Sequence, residues 1–422
     1  MLTKQLITHP ASERKYSDRL MLFDLSVRGH HPNYIKHLIK YWCEQQLSGC
    51  LDIVVSPKFL EEHADVVELA ASYNQEDINF VAITLEEETA LNARKSRLRR
   101  AWRNFQEWQL LGKYARALNA THCLIMYFDT CMFPLALGGK SPCTFSGIYF
   151  RPAFHYAQLT NYQPSWKDRL QQWRERLLLS RILRHPKLQT VYCLDPFAVE
   201  QLDKFSGNVK VVNLPDPVET SGDLKPISSN IKGDLGIESQ RQVFLLFGAL
   251  TERKGIYQVL EAIEALSPEL CQKICLLLVG ESNIEEQLKP QIKALCRSKP
   301  VQIICRYKFV PEQDVQTYFN LADVILALYQ KHVGMSGILL LAAAAQKPVL
   351  SSDYGLMGEI VQRHELGLTI DSTKPSEIAQ GLTQFLLKPS TKLCNPTKMK
   401  DFAQQNSAQN FANTILHFCL KH

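Results

Sequence analysis

Two adjacent cations, Arg253 and Lys254, follow an apolar run that ends in the turn Phe247-Gly248-Ala249-Leu250, and they stand at the start of a helix carrying Tyr257, Leu260 and Ile263 on one face. A helix N-terminus carries partial positive charge, so unpaired cations are disfavoured there and a bound anion is the better reason for them. A guanidinium grips a diphosphate bidentately and an ammonium acts on it as a point charge. The competing reading is a solvated pair at a helix start. A second candidate is the turn Gly334-Met335-Ser336-Gly337, which opens the Leu- and Ala-rich run Ile338 to Ala345. Gln346-Lys347-Pro348 stops that run, because proline lacks an amide and biases its predecessor away from helix. Glycines at a helix start leave amides unshielded, and phosphate is the usual anion at such a place. Ser336 either bonds that anion or caps the helix, and a capped core helix is an equal alternative.

In the first half, Asp129 and Thr130 follow the run Thr121 to Tyr127, and Arg151 and His155 follow Cys143 to Phe150. Ligands of open α/β sheets bind at the carboxyl ends of strands, which makes this group a candidate site.

The elements that must position these residues are short apolar strands alternating with helices. In order they are Leu20 to Ser26, Leu51 to Ser56, Asn79 to Thr84, the two runs above, Leu188 to Cys193 and Val209 to Leu214. The alternation predicts an α/β, doubly wound parallel sheet. Asn213-Leu214-Pro215-Asp216-Pro217 breaks the pattern, and polar sequence runs on to Gln240, so a domain boundary is expected there. The alternation restarts with Val243 to Gly248, Ile274 to Gly280, Val301 to Cys305, Ala322 to Ala327, Val349 to Ser351 and Gly367 to Ile370. Domains are expected over 1–216 and 240–395, with one terminal helix, Lys398 to Phe418, packing back on the first. A single Gly29 after the first strand is not the three-glycine dinucleotide fingerprint, which disfavours a nicotinamide enzyme.

Length and composition agree with this layout: 422 residues, 45% hydrophobic, with a mild formal charge of +6. That charge permits anionic ligands or an anionic membrane and demands neither. The 12 cysteines form no C-x-x-C pair, and several, such as Cys123, Cys193 and Cys305, sit in apolar runs. They read as buried reduced thiols, with neither metal nor disulfide expected. No signal-peptide core or membrane-length apolar run is seen, so a cytoplasmic protein is expected, peripheral to a membrane at most.

Two basic helices are also expected. Over Ala93 to Ala117, Arg94, Lys95, Arg97, Arg99, Arg100 and Arg103 accompany Leu98, Trp102, Phe105 and Trp108 at helical spacing. Packing of the aromatic face on the sheet is favoured there over docking on an anionic membrane. Over Trp166 to His185, Trp166, Leu170, Trp173 and Leu177 share one face.

The second half resembles the donor-binding domain of retaining glycosyltransferases of family 4, which have the GT-B fold. The matching pieces are FGALTERKGIYQVLEAI (Phe247–Ile263), LLLVGE (Leu276–Glu281), FVPEQDVQTYFNLADVILAL (Phe309–Leu328) and the stretch Val333 to Val361, preceded by Thr190 to Leu202 and the linker Val211 to Val218. The resemblance implies two Rossmann-like domains facing across a cleft. It also implies a nucleotide-diphosphate sugar as donor, no metal or other cofactor, and a saccharide or lipid acceptor on the first domain. Arg253 and Lys254 fall where the family binds the diphosphate, Lys308 and Phe309 where the base is read, and Gly29 on a loop facing the phosphates. Asp129, Arg151 and His155 would line the acceptor side, with Asp129 counted beside Arg253 and Lys254 among the catalytic candidates. His332, Gly334, Met335, Ser336 and Gly337 fall among the donor-binding positions. The family's two glutamates flanking the glycine-rich turn fall on Val333 and Leu341, and its arginine before the strand-end leucine falls on Ala249. His332 and Ser336 are the nearest polar replacements.

Overall fold

The computed structural model describes residues 18–73, 76–91, 97–159, 161–218 and 231–420. They fall into two compact units. One comprises residues up to Pro152, Arg174–Leu214 and the chain end from Phe411; the other comprises Ala153–Trp173 and Pro215–Asn410.

The first unit holds β1 (Arg19–Phe23), β2 (Cys50–Val55), β3 (Ile78–Ala82), β4 (His122–Ile125), β5 (Thr144–Tyr149), β6 (Leu188–Cys193) and β7 (Lys210–Asn213). They form one parallel sheet in the order β3-β2-β1-β4-β5-β6-β7. The second unit holds β8 (Gln242–Phe247), β9 (Ile274–Val279), β10 (Gln302–Arg306), β11 (Val324–Ala327), β12 (Val349–Ser352) and β13 (Gly367–Ile370), parallel in the order β10-β9-β8-β11-β12-β13. Each sheet is doubly wound, as the alternation predicts. A parallel sheet is covered by helices on both faces, so its central strands read as unbroken apolar runs. All of β9, Ile-Cys-Leu-Leu-Leu-Val, is buried. One polar residue that enters such a strand is paired across the sheet: the carboxylate of Asp52 on β2 accepts from Arg19 on β1 and Asn79 on β3.

The single terminal helix expected over 398–418 is two helices, Pro396–Gln405 and Ala408–Cys419. Asn406 makes the break. Its Nδ2 donates to Phe402 O, its Oδ1 accepts from Asp216 N at 3.1 Å, and its carbonyl accepts from Val218 N at 2.9 Å. The chain thus gives up helical hydrogen bonds for bonds to the linker. The last helix then buries Phe411, Ala412, Ile415, Leu416 and Cys419 in the core of the first unit, with Phe411 4.6 Å from the ring of Tyr34.

The basic helix is Arg97–Ala117. Ala93, Arg94 and Lys95 lie outside the described residues, as do the side chains of Arg97, Leu98, Arg99 and Arg100. Its aromatic face divides: Trp108 is buried edge-on against Phe145, whereas Trp102 is 65% exposed. No helix among the described residues is long and apolar enough to cross a membrane.

The last helix is part of the first unit's core although Phe411 stands 198 positions beyond Asn213, the end of that unit's last strand (411 less 213), a separation that only folding closes. Phe411→Ala should therefore cost the first unit about 3–5 kcal/mol, the usual price of truncating a buried phenylalanine. Urea unfolding followed separately on each unit should show the loss in the first transition and leave the second in place.

Candidate functional site

In a doubly wound sheet the strand order reverses at one point, and the adjacent loops diverge there to leave a crevice. Those points are β8/β11 in the second unit and β1/β4 in the first. Each carries a cluster of polar side chains.

After β8 the chain makes a short 3-10 turn, Glu252–Lys254, and Gly255 leads into the helix Ile256–Glu264. Gly255 has φ 74°, and a Cβ there would stand 2.3 Å from Leu328 O, so the position admits only glycine. The turn points Lys254 inward. Lys254 is buried, and its ammonium donates to Phe247 O at 2.8 Å and to the hydroxyl of Tyr329 at 2.5 Å. Tyr329 lies just past β11, and its hydroxyl is 2.7 Å from Ser336 Oγ. An ammonium only donates, so Tyr329 accepts from Lys254, and between Tyr329 and Ser336 either hydroxyl can be the donor. Lys254 keeps a third proton beyond these two bonds. The Arg253 guanidinium, exposed, lies 5.7 Å from the centre of the Tyr329 ring, and the His332 ring lies 5.2 Å from it. His332 Nε2 is 3.3 Å from Met335 O, which holds the turn closed. Tyr329 thus joins the two stretches with candidate chemistry. It was legible as a polar side chain just past an apolar strand, the signal that marks Asp129.

Gly334 and Gly337 frame a turn whose helix, Ile338–Ala344, is short, and Gly337 rather than Ser336 sits at its N-cap. The capping role considered for Ser336 is thus replaced by its bond to Tyr329. Val333 and Leu341 are both half-buried. Val333 O accepts from Leu356 N at 2.8 Å, so its backbone pins the turn to the helix Gly355–Arg363. Lys308 and Phe309 follow the edge strand β10, two strands from β8 and roughly 10 Å away at the sheet. Both are exposed.

In the first unit, Asp24 is buried past β1, and its Oδ2 lies 2.7 Å from Nδ1 of His31. The other carboxylate oxygen accepts from Ser26 N at 2.9 Å. Gly29, at φ 75°, turns the chain between them in open space. Asp129 follows β4 and accepts from the amides of Phe150 and Arg151 at 2.9 and 3.1 Å. The rings of Tyr127 and Phe150 pack on His31. Burial pushes the Asp129 carboxyl up to about 6, against the pull of those two amides and the charge of Arg151. Burial alone would lower the His31 pKa, but the hydrogen bond to Asp24 and the charges of Asp24 and Asp129 together raise it. The Asp24–His31 pair went unnoticed in the sequence because Asp24 sits inside an apparent strand. His155 is buried in the 3-10 turn Ala153–Gln158, in the second unit, with its ring against Phe154 and Tyr156. Asp129 and Arg151 belong to the first unit. Beside the Asp24 loop, a cavity of about 320 Å³ is lined by Ser26, Arg28, Lys58, Glu88 and Arg103, past the ends of β1, β2 and β3.

Comparison with known proteins gives this architecture a class. Residues 228–406 match the family described as glycosyl transferases group 1. That stretch takes in the whole second sheet, β8 to β13. The chain is 26% identical over 165 residues to the uncharacterized glycosyltransferase MJ1607 of Methanocaldococcus jannaschii, a stretch covering 37% of this chain and 39% of that one. The chain spans less than half the length of the curated relatives it matches. Among solved structures it is similar to sucrose-phosphate synthase of Thermosynechococcus elongatus, with a TM-score of 0.67 at 13% identity, covering 95% of this chain and 98% of that one. The E. coli trehalose-6-phosphate structure bound with UDP-2-fluoro glucose gives 0.66 at 12% identity, covering 96% and 99%. Identities this low establish the fold, which is GT-B, with two Rossmann-like domains.

Two outcomes follow from the clusters themselves. Tyr329→Phe leaves the buried ammonium without one acceptor, and losing a hydrogen bond to a charged group costs roughly 1.5–3 kcal/mol, which should appear as a lower unfolding midpoint. Asp129 and His31 both have raised pKa values, so the folded state binds more protons than the unfolded one and stability falls as pH rises. For Asp129 the contribution is complete below the unfolded value of 3.8 and is lost as pH rises to about 6; for His31 it is complete below 6.5 and is lost above that. Asp129→Asn should flatten the decline between pH 4 and 6, measured by denaturant midpoint, and reduce the His31 part, since the charge of Asp129 is one of the causes that raise His31.

Proposed function

We propose that the protein is a glycosyltransferase that moves a sugar from a nucleotide-diphosphate donor to an acceptor. The donor would sit at the β8/β11 crevice of the second unit and the acceptor at the β1/β4 crevice of the first. The observation carrying this reading is the chain Lys254–Tyr329–Ser336 beside Arg253, inside the stretch that matches the glycosyltransferase family. In such a transfer the bond from the anomeric carbon to the diphosphate oxygen breaks and negative charge grows on that oxygen. Donors held in place beforehand stabilise that charge without reorganising at the moment of reaction. Arg253, the third proton of Lys254 and the hydroxyl of Ser336 are suited to this, and no metal is needed in the reading. We assign retention: the acceptor oxygen attacks from the side the diphosphate leaves, and the acceptor proton departs with the diphosphate. On the acceptor side the cavity is lined by Arg28 and Glu88, with Lys58 and Arg103 paired to Glu62 and Glu107.

A second reading, a nucleotide-binding partner protein without turnover, draws on Val333 and Leu341, apolar where the family resemblance puts glutamates. A panel of nucleotide diphosphates and their sugars decides between them. A nucleotide at 100 times its Kd raises stability by about 2.7 kcal/mol through mass action, visible as a thermal shift. Under the transferase reading the matching donor is consumed, Lys254→Ala abolishes turnover, and Ser336→Ala reduces it more mildly. Binding without consumption across the whole panel supports the second reading. Turnover that survives Lys254→Ala places the diphosphate elsewhere.

A further inference from the structure

The helix Trp166–Ile182 faces the wrong way for a protein that ends at its own surface. At about 100° per residue, Trp166, Leu170, Trp173 and Leu177 fall within about 60° of arc on one side. That apolar stripe points outward: Trp166 is 70% exposed, Trp173 61%, Leu170 55% and Leu177 42%. The opposite side, buried, carries Gln172 and Glu175 along with Leu179 and Ile182. The charged member of that side is provided for, since Glu175 accepts from the buried hydroxyl of Tyr149. The inversion is therefore built into the fold. The four stripe residues belong to one continuous helix, so their common direction follows from helix geometry alone.

Cations border the stripe on both sides. On the same wheel Arg169 and Arg176 lie along one edge, and Lys167, Arg174 and Arg181 along the other. The one acidic residue besides buried Glu175 is Asp168, which is turned to its own N-terminal turn and accepts from Ser165 N and Oγ. An apolar stripe with tryptophans, edged by arginine and lysine, is the pattern of a helix that lies in the plane of a bilayer surface. Its rings enter the acyl boundary while its cations reach the headgroups. Neither an ordinary soluble surface nor a neutral apolar partner accounts for cations on both edges.

We propose that this helix docks the protein on an anionic lipid surface, with Trp166, Leu170, Trp173 and Leu177 inserted and Lys167, Arg169, Arg174, Arg176 and Arg181 against the lipid phosphates. The inference is independent of which sugar is moved, or whether one is. It also moves the membrane contact away from the Arg97–Ala117 helix, whose Trp108 is spent in the core.

The test is co-sedimentation of the full chain with phosphatidylglycerol-containing vesicles and with pure phosphatidylcholine vesicles. The expected result is binding to the anionic vesicles that weakens with added salt, since screening shortens the reach of the cations. Trp166→Ala with Trp173→Ala should weaken it at least about tenfold, given the apolar area withdrawn. Arg169→Glu should weaken it with the apolar stripe intact. These side chains are exposed, so the unfolding midpoint should not move, and that is checked alongside. Trp102→Ala, an exposed tryptophan on the other basic helix, should leave binding unchanged. The proposal is overturned if the wild type ignores anionic vesicles at low salt, or if the double tryptophan variant binds as well as wild type. It is likewise overturned if Trp102→Ala alone removes binding, or if the double variant instead abolishes a concentration-dependent self-association seen without lipid.

Discussion

The need to cover both faces of two parallel sheets governs the rest of this structure. A parallel sheet has no solvated face, so its crossover helices must bring apolar surface to each side. The strands can then be apolar throughout, as β9 is, and polar function is driven to the strand ends. The first sheet draws part of its cover from the end of the chain: Phe411, Ile415 and Leu416 complete a core begun by Leu20, Tyr34 and Trp42. Asn406 makes this possible by interrupting the terminal helix and tying the chain to the linker at Asp216 and Val218.

With the strands committed to the core, the reversal of strand order decides where a site can form. Both polar clusters lie at such a reversal. In the second unit a buried lysine is tolerated because its charge is spent on a carbonyl and a phenol and spread over an aromatic ring, with Nζ 4.4 Å from the ring centre of Tyr329. Gly248 contributes by absence, since a Cβ there would stand 3.3 Å from that ammonium. In the first unit, burial and hydrogen bonding oppose one another at Asp129 and His31, and both groups end with raised pKa values. Strongly perturbed groups at a crevice mark functional candidates, although ion-pair networks in a core produce them too.

The alternation of apolar strand and helix made both sheets legible in the sequence, and β6 and β13 fall on the residues expected. That signal is local and strong, because each buried strand must be apolar whatever its neighbours are. The rule that polar residues just past a strand are site candidates singled out Asp129, Arg253 and Lys254. Applied one strand further it reaches Tyr329, and applied to the first strand it reaches Asp24, which the apolar residues on either side of it disguised.

What the sequence determined by itself was which residues share a face, where strands must lie and which side chains stand at strand ends, because all of these follow from periodicity and from the cost of burying polar groups. What faces each surface was left to the tertiary structure. Trp108 and Trp173 both lie in basic amphipathic helices, yet one is buried against Phe145 and the other stands in solvent. Nothing within either helix decides this; the decision rests on partners distant in sequence, such as Tyr149 for Glu175. Hydrogen bonds such as Tyr329 to Lys254 and Asn406 to Asp216 span 75 and 190 residues. A partner that far along the chain leaves no periodic trace, and only the packed fold brings its atoms within bonding distance.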